Sequence, residues 1–305
     1  MTDDDSHRGD EFVYTGLRFN AVYVIESMGG GQPKLGADLY DQVVFPTRVT
    51  LEGLYTDYSF VADEVQLHAK LRSILAAARA ANHLPIIHFE AHCGEGGVQL
   101  ADETVVTWRS LAPLLAAINE ACRMNLMVVA MVCYAWSLMY SLTPSDRAPL
   151  FMLVAPPGPM SGQALFDATR AFYGALFGAL DVNSGLEAMN SGMDFKDWPI
   201  RPATAEILFC RVFRRFVEEL GTGQALSNRE NEIVARMALA RRLDVRDTAI
   251  LRESLLRDSR DYRSAYDRLR ERFLILISFQ RIANGLGSRM KSVLTRPRRC
   301  QLAGA

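Results

Sequence analysis

The chain has 305 residues, 49% of them hydrophobic, and its 34 Lys and Arg against 35 Asp and Glu leave a formal net charge of −1. That length and apolar content suffice for one large or two ordinary domains with a sizeable core, which argues against a disordered chain. The balanced charge gives no case for nucleic acid or a charged membrane as the main partner.

Asp3, Asp4, Asp5, Asp10 and Glu11 make the start acidic, and residues 1–12 read as a solvated tail without the basic and apolar regions of a signal peptide. "LRFNAVYVIESM" reads as a first strand, ended by the turn at Gly29, Gly30 and Gly31. "VADEVQLHAKLRSILAAARAANH" has helical periodicity, with Leu67, Leu71, Ile74, Leu75 and Ala78 on one side. "LPIIHFEAH" is a second strand, "GGVQLADETVVTW" a short hairpin, and "SLAPLLAAINEACRM" a helix opened by Ser110 as N-cap. "NLMVVAMVCYAWSLMYSL" approaches the length of a membrane span, yet its short β-branched first half reads better as a buried strand running into a helix. "PLFMLVA" is then a fourth strand, with "GQALFDATRAFYGALFGAL" the helix after it. Strands alternating with helices predict an α/β fold, a mostly parallel sheet flanked by helices.

After about Asp197 the strand signals stop. "ATAEILFCRVFRRFVEEL" places Phe209, Phe213, Phe216, Val217 and Leu220 on one helical face, and Ser227 with Glu230 makes a capping box. The stretch from Asp247 to Ile282 is charge-laced and helical, and Arg281, Arg289, Lys291, Arg296, Arg298 and Arg299 form a basic tail. The expected organisation is a tail over 1–12, an α/β domain over 13–197 and a helical unit over 198–305. Cys93, Cys122, Cys133, Cys210 and Cys300 are odd in number and lack CxxC spacing, so neither a disulfide framework nor a zinc ribbon is suggested. A cytoplasmic protein without a membrane span is expected.

The stretch with the densest chemistry is "LPIIHFEAHCGEGGVQLAD". Residues two apart on a strand share a face, so His88, Glu90 and His92 point one way and Ile87, Phe89 and Ala91 the other. The carboxyl edge of such a sheet is where open α/β folds keep their sites. Three readings stand. His88, Glu90 and His92 could ligate a divalent metal in a hydrolase; His92 could be a general base serving a nucleophile on another strand; or His88 and Glu90 could simply hydrogen-bond in the core. Cys133, where "LMVVAMV" ends, supplies a nucleophile at the same edge if the strands are parallel.

Taken together, "IIHFEAHCGEGGVQLADETVVTW", "INEACRMNLMVVAMVCYAWS", "APLFMLVAPPGPM" and "ALFDATRAFYGALFGAL" resemble the caspase-like cysteine peptidases of the caspase/CHAT superfamily, especially prokaryotic members, over about residues 17 to 192. The resemblance lies in the order of histidine, small glycine-rich hairpin, strand and cysteine. It implies a caspase-like peptidase domain over 13–197, with His92 as catalytic histidine and Cys133 as nucleophile. Backbone N–H groups at Cys133 and at Cys93 and Gly94 would stabilise the oxyanion, with His88 and Glu90 supporting from behind. It implies no cofactor and no metal. A protein substrate and a sensor or activating partner at the helical C-terminal unit are expected, in a setting of defence or cell death. The chain departs from the family pattern in two places: Cys93 separates His92 from Gly94, and "CYAWS" is bulkier than the glycine that often follows the cysteine. Met131 two residues before Cys133 argues against a basic P1 preference, leaving Glu26 and Asp102, or Arg18, Arg48 and Arg109, as pocket candidates. An inactive scaffold with this fold is the alternative.

Overall fold

The computed structural model describes residues 17–94, 96–132, 135–156, 158, 160–191, 200–220 and 262–274. Cys133, Cys300, the acidic and basic tails and the Ser227–Glu230 capping box lie outside the described residues.

Six strands build the main sheet: β1 (Ala21–Ser27), β2 (Tyr55–Phe60), β3 (Pro85–Gly94), β6 (Met127–Ala130), β7 (Met152–Ala155) and β8 (Arg201–Thr204). Their spatial order is β2-β1-β3-β6-β7-β8, and β4 (Gly97–Gln99) and β5 (Val105–Thr107) form a hairpin attached to the end of β3. The pairs β1/β2, β1/β3, β3/β6 and β6/β7 are parallel, while β8 runs antiparallel to β7. Parallel neighbours need crossover connections, and helices supply them.

Alternate residues of the strands feed two apolar layers. Tyr23, Ile25, Ile87, Phe89, Val128, Ala130 and Leu153 face α3 (Glu64–Ala80) and α4 (Trp108–Ala121). Val24, Ile86, Met127, Val129, Met152 and Val154 face α1 (Leu35–Leu39), α6 (Gly162–Ala179) and α7 (Val182–Ser191). In α3, Leu67, Leu71, Ile74 and Ala78 are buried as the periodicity predicts, and Asp63 caps the helix by accepting from Gln66 N. Ser161 caps α6 in the same way. At α4 the expected cap at Ser110 is corrected: Thr107 is the N-cap and Ser110 N is the donor to its hydroxyl. The helix starts earlier because Trp108, buried in the sheet-facing layer, already belongs to its first turn.

Residues 125–142 hold β6, a 3₁₀ turn over Ala135–Ser137 and the short α5 (Leu138–Ser141). Among the described residues no helix is long and apolar enough to cross a membrane.

Two strands carry no signal in the sequence. Both lie at the edges of the sheet, where one side needs no partner: β2 is the polar run "YTDYSF", and β8 is four residues containing Pro202. β8 and α8 (Ala205–Leu220) come after residue 197, yet β8 completes the sheet, and Leu208, Phe209, Val212 and Phe213 join the layer formed by α3 and α4. Phe273 of α9 (Tyr262–Phe273) is buried in the same layer, and its carbonyl accepts from Ala148 N at 2.9 Å.

Removing these elements exposes that layer. A chain ending at residue 197 is therefore expected to lose its cooperative urea transition, and Phe213→Ala to cost about 3–5 kcal/mol in the full chain. A truncated chain that still unfolds cooperatively would refute the shared core.

Candidate functional site

The site is built on β3, whose two sheet neighbours stop at different levels. Pairing with β1 reaches Ser27↔Ala91, and pairing with β6 reaches Phe89↔Ala130. Met131 N then donates to Phe89 O at 3.1 Å. Beyond Ala91 the registered partner of β3 is β4, through His92↔Gln99, Cys93↔Val98 and Gly94↔Gly97.

This places the three expected residues unequally. His88 is 0% exposed and Glu90 7%, whereas His92 is exposed. His88 Nε2 lies 3.4 Å from Glu90 Oε2, and the His88 ring meets the Tyr173 ring edge-on at 5.8 Å between centroids. Among the described residues no three His, Cys, Asp or Glu side chains group as a metal site. The three ligands of the metal reading thus share a strand face without converging.

Cys93 and Gly94 sit at the base of the hairpin turn. The Cys93 thiol donates to Gly97 O at 2.8 Å, which holds it across the hairpin, on the face opposite His92. Gly97 permits β5 to lie close against β4: a Cβ there would stand 2.1 Å from Val106 O and 2.8 Å from the Thr107 Cα. The turn between β4 and β5 is tied to the sheet by Ser27, whose hydroxyl donates to Val61 O and accepts from Ala101 N.

The pocket candidates are engaged elsewhere. Glu26 is 0% exposed; its carboxylate accepts from Gly36 N at 3.0 Å and from the Tyr58 hydroxyl at 2.6 Å. Gly36 allows α1 to lie over it, because a Cβ would come within 3.1 Å of Glu26 and 3.3 Å of Glu90. Asp102 accepts from Thr104 N and the Thr104 hydroxyl, shaping the turn between β4 and β5. Arg109 donates to Asp146 and Ser141 O, and Arg48 lies over the Phe45 ring. Arg18 N donates to the Asn125 side chain.

Cys133 follows Val132 and lies outside the described residues. Further along, Trp136 Nε1 donates to Ala155 O at 3.4 Å, and Arg211 of α8 lies 5.0 Å above the Trp136 ring. The sequence reading missed this contact. Its trace is the matched four-residue spacing of Trp136 and Tyr140 and of Arg211 and Arg215, but nothing local says that the two pairs meet. Cys122 is a free thiol, whereas Cys210 in α8 is disulfide-bonded, a bond that the cysteine spacing does not suggest.

Burial shapes the titration of the surrounding groups. Tyr173 and Tyr58 are held well above the ordinary phenol range by burial, Tyr58 also by its hydrogen bond to the Glu26 carboxylate. Burial pushes the Cys122 thiol up to about 11.

No protein-family model matches this chain, and no curated protein matches it.

Gly97→Ala is expected to destabilise the protein by ~1–3 kcal/mol through backbone overlap and to open the hairpin beside His92. Faster amide exchange at Val98 and Val106 would report it, and unchanged exchange would contradict it. The raised phenol and thiol values also set a pH dependence. A group whose folded pKa exceeds its unfolded value contributes fully below the unfolded value and loses that contribution as pH rises through the folded one. The urea midpoint should therefore hold to about pH 8 and fall between about pH 9 and 11. A midpoint unchanged at the upper end would be inconsistent with the burial of these groups.

Proposed function

We propose that the chain is a caspase-like cysteine endopeptidase in which His92 and Cys133 form the catalytic dyad. One observation carries the reading: β3 and β6 are parallel neighbours, so the exposed His92 and the strand leading to Cys133 leave the sheet at the same edge. Up to Val132 the segment alternates between the two layers, with Met127, Val129 and Met131 on the α6 side and Val128, Ala130 and Val132 on the other.

In this reading His92 accepts the Cys133 thiol proton as the sulfur attacks a peptide carbonyl carbon. The tetrahedral oxyanion is held by backbone N–H groups at Cys133 and at Cys93 or Gly94, each such donor being worth about 3 kcal/mol in other proteases. Collapse expels the amine, which takes the proton from His92, and leaves a thioester. Water, deprotonated by His92, then releases the acid and restores the thiol. His88 and Glu90 are buried on the same strand face as His92 and need no role in proton transfer. The resemblance noted above further assigns a cytoplasmic setting, a protein substrate, and control by a sensor or activating protein in a prokaryotic defence or cell-death system. That assignment rests on fold analogy.

The test is labelling of the purified full chain with an acyl-mimicking thiol probe, mapped by peptide mass, for the parent, Cys133→Ala and His92→Ala. It is read before and after reduction because Cys210 is disulfide-bonded. Labelling at Cys133 that falls at least ~100-fold in His92→Ala is expected, the scale of a lost general base. Labelling confined to Cys93, with Cys133 inert in both redox states, would overturn the dyad and leave the inactive scaffold as the better reading.

A further inference from the structure

The outer edge of β2 presents backbone groups that no described residue pairs. Tyr55 N donates to Asn20 O at 2.9 Å and Val61 N to Glu26 O at 2.9 Å, so the odd-numbered residues of this strand face β1. Strand alternation then turns the N–H and C=O groups of Thr56, Tyr58 and Phe60 outward. An open edge of this kind is ordinarily blunted by shortness, proline, a bulge or lysine. β8, at the opposite edge, has four residues and contains Pro202. β2 has none of these devices. Its six residues run in unbroken register with β1, and its single charge, Asp57, is neutralised within the chain by Lys70 of α3.

Aromatic surface flanks this edge on both faces of the sheet. On the α1 side, Tyr58 and Phe45 both pack on the Tyr40 ring, 5.8 Å between centroids in each pair, and Phe45 and Phe60 are exposed. On the α3 side the exposed Tyr55 ring lies 5.5 Å from the Tyr23 ring and 4.8 Å from that of His83.

The order of residues in β2 selects the occupant. Two copies joined antiparallel about a two-fold axis must oppose outward residues to outward residues, because a slip of one position would turn every side chain to the wrong face. An axis through Tyr58 opposes Thr56 to Phe60, Tyr58 to Tyr58 and Tyr55 to Val61 of the second copy, and it uses every outward group of the strand. These are aromatic and β-branched cross-strand pairs, the favourable kind. On the α3 face the same register opposes Asp57 to Ser59, a carboxylate to a hydroxyl. An axis through Asp57 would set two carboxylates directly against each other, a repulsive pair. The register with the fullest overlap is thus free of a like-charge contact.

We propose that this edge is a self-association surface: two copies of the chain pair through β2, antiparallel and centred on Tyr58, into one continuous sheet. The contact lies at the opposite edge of the sheet from β8 and does not depend on the peptidase reading.

The experiment is sedimentation of the full chain across a concentration series, with residue-resolved amide exchange on the same samples. A dimer is expected. The amides of Thr56, Tyr58 and Phe60 should become protected as concentration rises, while those of Tyr55, Asp57 and Ser59, already turned to β1, stay unchanged. Ser59→Asp should weaken the dimer about 10-fold by facing Asp57 of the second copy, and Ser59→Lys should tighten it about 3-fold, each read beside the melting midpoint of the dilute monomer. A chain that stays monomeric at crystallisation concentrations would overturn the proposal, as would a dimer whose Thr56, Tyr58 and Phe60 amides exchange as in the monomer. Protection of those amides in a monomer at every concentration would also overturn it, by showing that another segment of the same chain covers the edge. A sedimenting complex containing a different polypeptide would do the same. Equal weakening by both substitutions would refute the register centred on Tyr58.

Discussion

The double-sided pairing of β3 governs the layout of this molecule. Along Ile86–Phe89 the strand has β1 on one side and β6 on the other, so its residues are buried on both faces and the backbone is fully committed to the sheet. β6 leaves first and β1 two residues later, and from His92 the strand is paired to its own hairpin. The change from a buried to an exposed imidazole within four residues follows from that staggered ending. It needs no special property of the histidines.

The same stagger explains the polar cluster below His92. Glu26 and Glu90 are directly opposite on β1 and β3, and both carboxylates lie under α1 at the top of an apolar layer. Glu26 is satisfied by Gly36 N and Tyr58, which offsets part of its desolvation. His88 and Tyr173 are less well served: among the described residues neither His88 ring nitrogen nor the Tyr173 hydroxyl has a hydrogen-bond partner. A core that carries such groups gives up stability at that point, and Leu and Val at these positions would fill the layer at lower cost.

The sheet was legible in the sequence where burial on both faces writes a continuous apolar run, as in "AVYVIES", "PIIHF", "MVVA" and "MLVA". It was not legible at the edges, because β2 and β8 need only one neighbour and so tolerate Asp57, Ser59 and Pro202. Of the candidate site, the shared face of His88, Glu90 and His92 follows from strand alternation alone. Which of them reaches solvent does not, since it depends on where β1 and β6 end. Nor do the engagements of Glu26 with Tyr58, 32 positions away, or of Arg109 with Asp146, 37 positions away. A local pattern shows that a charge exists without showing what neutralises it.

The change in pattern after residue 197 shows a different limit. The Phe209 and Phe213 stripe of α8 does read as an apolar helical face, but periodicity cannot say what such a face packs against. Here the answer is the sheet itself. α3 and α4 share their layer with β7, and α8 and α9 complete it with Leu208, Phe209, Phe213 and Phe273. A helix used to close the core cannot move independently of the strands it covers. Because α8 also holds Trp136 and the end of α5, its packing against the sheet and its hold on the segment after Cys133 are one mechanical element.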